Sequence, residues 1–161
     1  MGEPNSTASN SFADLRFSAV VRGAIATSDE DHPVYILFFA YFKLCHLVYL
    51  EHQKLEVLRR SNSHFLEEEK QQILGASVTY LHLWLALLYV VAEGFKELGL
   101  SHPKITPLID EHWSELRRFR NSVFHFQKNT SKRELMHDLL PLNWARDLHA
   151  VLQEYFVSQG T

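Results

Sequence analysis

LGASVTYLHLWLALLYVVAEGFKEL, Leu74 to Leu98, is the stretch whose reading decides the fold. Leu74, Val78, Leu81, Leu85, Leu88, Ala92 and Phe95 recur at alternating four- and three-residue intervals, which lines them up on one face of an α-helix. Tyr80, Trp84, Leu87, Val91, Gly94 and Leu98 form a second stripe by the same rule. Two stripes on one helix require a wide buried face, so this helix is expected at the centre of a bundle or shared with a partner. Glu67, Glu68 and Glu69 mark its opening turns, where carboxylates favour the positive end of the helix dipole. Gly99 is placed to end it in the left-handed conformation, with Leu100 folding back towards Phe95 as in a Schellman motif.

The flanking segments carry the same kind of signal. Pro33 opens a preceding helix at its first position, behind Asp29, Glu30 and Asp31. That helix is expected to run to about Arg60, with Leu37, Tyr41, Leu44, Val48, Leu55 and Leu58 at three- and four-residue spacing; residues 61–63 read as a break. Thr106-Pro107 starts a third helix, with Asp110 and Glu111 near its first turn, and Asn129 and Thr130 end it. Ser131 to Glu134 reads as a capping box for a fourth, which Pro141 interrupts and which resumes with Trp144, Leu148, Val151, Leu152, Tyr155 and Phe156. Residues 1–11 are polar and read as a disordered tail; residues 12–32 hold a short element, read as helical, and a turn. The helical domain spans 33–159, and short connections between long helices point to an all-α, up-and-down antiparallel bundle of four to five helices.

Composition narrows the class. In 161 residues there are 6 Gly and 5 Pro, too few for a loop-rich fold, while 11 Phe, 6 Tyr and 3 Trp supply a heavily aromatic core. Trp84, Trp113 and Trp144 are expected as core or interface anchors. A single cysteine, Cys45, excludes an internal disulfide and reads as a small buried hydrophobe in a reducing, cytoplasmic setting. No secretory signal is visible at the N-terminus. Val34–Leu50 is interrupted by Lys43 and His46, and Val78–Ala92 is short and holds His82, so both are read as bundle helices rather than membrane spans. Glu93, between the two apolar stripes, is expected as a helix-edge carboxylate paired with Lys96 or a neighbour of Lys96, the alternative being a partly buried carboxyl with a raised pKa. Ten histidines invite a metal reading, but one cysteine, no His-Glu-x-x-His and a lone Glu-x-x-His pair (Glu134, His137) fall short of a recognisable ligand set, so no metal and no cofactor is expected.

The chemistry concentrates at LRRFRNSVFHF, residues 116–126. From Leu116 to Arg133 there are six basic residues (Arg117, Arg118, Arg120, Lys128, Lys132, Arg133) and no acidic one, in a chain with 16 basic against 19 acidic residues. A local positive field on an acidic protein points to an anionic ligand. Asn121 and His125 are i,i+4 and share a helix face, whereas Arg120 and His125 lie about 140° apart on an ideal helix. One straight helix does not aim both at one atom, so either it frays near Phe124–His125 or each meets partners from a second copy.

Arg120-Asn121-Ser122-Val123-Phe124-His125 resembles the motif of HEPN domains: arginine, a polar residue, a few variable residues, then histidine. The resemblance implies a small α-helical bundle that dimerises into a metal-independent ribonuclease, leaving a 2′,3′-cyclic phosphate and a 5′-hydroxyl. It implies Arg120 and His125 as catalytic, with Asn121 able to fix the imidazole, and a composite site at a homodimer interface. Arg117, Arg118, Lys128, Lys132 and Arg133 would track the RNA backbone. By analogy the setting is a bacterial toxin with an antitoxin partner, or an anti-phage defence effector. Toxins of this kind that are silenced on a tyrosine carry it two residues after the histidine; Gln127 stands there, which argues against that form of control. The alternative is a catalytically silent HEPN-like module that binds a nucleotide or protein partner.

Overall fold

The computed structural model describes residues 32–61, 65–124 and 142–159. They form four α-helices and no strand: α1 (His32–Ser61), α2 (Glu67–Glu97), α3 (Ile105–Phe124) and α4 (Asn143–Gln159). The described chain is all-α. The expected short element within 12–32 and the capping box at Ser131 lie outside the described residues.

α2 is central and packs against each of the other three. Its C-terminal half buries residues from both sequence stripes, Leu85, Leu88, Ala92 and Phe95 from one and Trp84, Leu87 and Val91 from the other. The N-terminal half covers less, and Leu74 is 41 % exposed. Glu69 reaches back to the Leu66 backbone N–H (2.9 Å), satisfying one of the donors a helix start leaves open. At the other end Gly99 takes φ 64°, the Gly99 N–H reaches the Lys96 carbonyl and the Leu100 N–H reaches Phe95 (3.1 Å). This is the expected Schellman closure.

The order of contacts shows that α1 runs antiparallel to both α2 and α4. Along α1, Phe38 meets Gly94, Tyr49 meets Trp84 and His52 meets Ser77, so the partner number on α2 falls as α1 proceeds. Phe38 and Phe42 likewise meet Phe156 of α4, and His46 meets His149. The α1–α2 approach is close at Gly94, where an added Cβ would lie 3.0 Å from the Phe38 ring. α3 starts where the Thr106 hydroxyl accepts the His102 N–H, and it bends at His112 (φ −106°, ψ 15°). There the imidazole stacks on Trp144 of α4 at 4.3 Å and 10°.

The face of α1 differs from the expectation. Leu37, Tyr41, Leu44 and Leu58 point outwards, with exposures of 55, 40, 47 and 38 %. The core takes Phe38, Phe39, Phe42 and Cys45 instead, and of the expected stripe Val48 is buried with them. The N-terminal half of α1 is apolar nearly all round, so spacing alone does not choose its inner face; packing against α2 and the Phe156 ring does. Accordingly, Phe42→Ala is expected to cost about 3–5 kcal/mol in urea unfolding, while Leu44→Ser stays within about 0.5 kcal/mol. By length and composition both α1 and α2 are apolar enough to cross a membrane, with 33 % and 39 % of their most apolar windows buried within the chain.

Candidate functional site

The last turns of α3 are phased by Leu116 and Phe119, which are buried at 0 and 3 % exposure. That phase leaves Arg117 and Arg118 exposed and turns Arg120 and Asn121 half inwards, towards α2. The Arg120 guanidinium lies 5.2 Å over the ring of Tyr89, and its Nη1 donates to Asn121 Oδ1 at 2.9 Å. Tyr89 is itself held: its ring packs on Trp113 at 4.9 Å, and its hydroxyl donates to Glu93 Oε1 at 2.6 Å. Burial, then the bond to the Glu93 carboxylate, push the Tyr89 phenol above its usual range, against the opposing pull of Arg120 and Arg117. The phenol therefore stays neutral and keeps donating to Glu93. A guanidinium laid on an aromatic face and tied at one end is a pre-set cation rather than a solvated surface charge.

Glu93 does not pair with Lys96 as expected. Lys96 bonds Asp110 of α3 at 2.6 Å and lies 5.0 Å over Trp113. Distance decides this, because Asp110 lies across a helix interface where one lysine can meet both an anion and a ring. His125, Lys128, Lys132 and Arg133 lie outside the described residues, as do Glu134 and His137. Of the sequence candidates, the structure thus joins Arg120 to Asn121 directly, with Arg117 close enough to influence Tyr89.

A second polar constellation is buried in the core. His149 of α4 is 1 % exposed, and both of its ring nitrogens are engaged. Nδ1 receives the Trp84 indole N–H at 3.1 Å, and Nε2 lies 2.9 Å from His46 Nδ1. Indole nitrogen only donates, so His149 Nδ1 accepts and its proton sits on Nε2. That proton goes to His46 Nδ1, which places the His46 proton on its own Nε2. Burial, and secondarily the neighbouring His46, push the His149 pKa down to about 3, and burial lowers His46 as well. Cys45 completes the group, with Sγ 3.8 Å from the Trp84 carbonyl and 3.9 Å from His149 Nδ1; burial alone drives its thiol upwards. A thiol so raised and wholly buried is inert, as the small-hydrophobe reading requires.

His52, Ser77 and Glu56 contain the residue types of a hydrolase triad, but their polarity is the reverse of one. The Ser77 hydroxyl donates to Glu56 Oε1 at 2.7 Å, while His52 Nδ1 lies 3.1 Å from the Ser77 carbonyl and 3.2 Å from Ser77 Oγ. The hydroxyl proton already goes to a carboxylate, so the imidazole donates here and activates no nucleophile. The Arg59 guanidinium, helped by Ser77 against the cost of burial, holds Glu56 down at about 2. The trio is a clip between α1 and α2.

Sequence reasoning missed Tyr89 and the His46–His149 pair as structural partners, and it gave Glu93 another partner than Tyr89. His149 sits beside Leu148 in an otherwise apolar helix face, a polar residue where the pattern asks for none, and that is the signal that was there to read. Tyr89 gives no such signal, since it falls among apolar neighbours it resembles. Among the described residues no three His, Cys, Asp or Glu side chains converge on a metal-sized space. Compared with family models, with curated proteins and with solved structures, the chain finds no match.

Proposed function

We propose that the chain is a HEPN-like bundle acting, as a homodimer, as a metal-independent RNA endonuclease whose site is built around Arg120, Asn121 and His125. The observation that carries this reading is the seating of Arg120. Its guanidinium is oriented by Tyr89 and Asn121 near the start of the most basic stretch of an acidic chain. The antiparallel helix packing fits such a bundle.

In this reading one His125 takes the proton of the ribose 2′-hydroxyl. The 2′-oxygen attacks the adjacent phosphorus, and the 5′-oxygen leaves with a proton from the second His125. Arg120 bonds the non-bridging phosphate oxygens as negative charge grows on them. The products are a 2′,3′-cyclic phosphate and a 5′-hydroxyl end. Arg117, Arg118, Lys128, Lys132 and Arg133 hold the strand by charge, so affinity falls as salt rises. Such an activity suits a toxin or a defence effector acting on cytoplasmic RNA.

The test is a rate comparison of three variants. Arg120→Lys is expected to lose nearly as much cleavage as Arg120→Ala, because lysine keeps the charge but not the planar fork or the stacking on Tyr89. Arg118→Lys, on the exposed side, is expected to cleave like the wild type. Full activity in Arg120→Lys would reduce Arg120 to one more charge in the basic field.

A further inference from the structure

We infer that the outer groove between α1 and α2 is a docking surface for a basic amphipathic helix of another protein. The inference is independent of the nuclease reading. The groove encloses about 340 Å³, with walls that include Val34, Leu37, Tyr41 and Val90, and the carboxylates of Glu93 and Glu97 line one side. Its apolar surface continues along α1 through Leu44 and Leu47, which are 47 and 57 % exposed. From Val34 to Leu47 this stripe is about 20 Å long at the rise of an α-helix. A strip of that length is matched by roughly four turns of a partner helix with apolar residues at i, i+3, i+4 and i+7, not by a small molecule.

Charge chooses among the possible occupants. Glu93 and Glu97 are one turn apart on α2, where like charges repel. Among the described residues neither forms an ion pair: Glu93 accepts the Tyr89 hydroxyl, and Lys96 is held by Asp110. Lysine or arginine flanking the apolar ridge of an incoming helix would stand against both carboxylates, and the exposed ring of Tyr41 offers such a cation a face. The same acidic edge disfavours a bilayer surface, which selects lysine and arginine at the rim of an amphipathic face.

The test uses the full chain and two labelled 14-residue helical peptides. Both carry leucine at i, i+3, i+4 and i+7; one has lysine on the flanks, the other glutamate. By fluorescence anisotropy the lysine peptide is expected to bind at least roughly tenfold more tightly than the glutamate peptide. Glu93→Gln combined with Glu97→Gln should remove that preference, and Leu37→Ser should weaken both peptides. Glutamine keeps the side-chain shape at both positions, and its Oε1 still accepts the Tyr89 hydroxyl at position 93, so the variant reports charge without unfolding the site. Equal binding of the two peptides overturns the proposal, as does a lysine-peptide affinity unchanged in the glutamine variant. Self-association of the free chain that Leu37→Ser abolishes would make a second copy the occupant, and partition into phosphatidylcholine vesicles through Leu37 would make it a bilayer. Either result overturns the proposal.

Discussion

Lowering the pH from 6.5 to 3 is expected to remove about 4 kcal/mol of folding stability through His149 alone, about 3 kcal/mol of it by pH 4. His149 has a folded pKa of about 3 against an ordinary value of 6.5, so its contribution is fully present above 6.5 and is lost as pH falls towards 3. The cause is geometric as well as dielectric. A proton added to Nδ1 breaks the Trp84 bond, and one already sits on Nε2 facing His46. His46 and His52 are lowered by burial and act with the same sign. Glu56 is held low too, but its loss begins only below about 4.5, so between pH 6.5 and 4.5 the histidines act without it. Urea midpoints measured from pH 7.5 to 4.5 should fall steeply for the wild type. For His149→Gln, which keeps an acceptor for Trp84 but cannot titrate, they should fall more gently. Parallel profiles would mean that the histidine pair is not what acid attacks. A domain of ordinary stability, about 5–15 kcal/mol, does not absorb such a loss easily.

The largest functional effect is expected at His125. His125→Ala should keep helix content and thermal stability while cleaving RNA roughly 10²–10⁴-fold more slowly, the usual contribution of a general acid or base. The imidazole is proposed for both proton transfers, so the loss should persist at every pH between 5 and 9. A variant that cleaves like the wild type would make His125 structural and leave the basic stretch as a binding surface.

The all-helical class and the central helix were legible because the two stripes of residues 74–98 repeat over many turns, and because Gly99 admits few other roles. The inner face of α1 was not. Leu37, Tyr41 and Leu44 keep as good a helical spacing as Phe38, Phe42 and Cys45 do, and it is tertiary packing on Gly94 and Trp84 of α2 and on Phe156 and His149 of α4 that selects between them. At the candidate site, Arg120 and Asn121 stood out by local charge and motif, since both effects lie within a few residues. Tyr89 and Glu93 are about thirty residues away along the chain, and nothing local announces that a tyrosine among apolar neighbours will carry a guanidinium. The histidine pair spans 103 positions and is invisible for the same reason.

The central claim, that this chain cleaves RNA at Arg120 and His125 without metal, is tested most directly by incubating the purified protein with RNA in excess EDTA and analysing the new ends. The account predicts undiminished cleavage, fragments ending in 2′,3′-cyclic phosphate with 5′-hydroxyl partners, and no such fragments from Arg120→Ala or His125→Ala. Intact RNA in EDTA with cleavage restored by a divalent ion, or identical fragments from both variants, would contradict it.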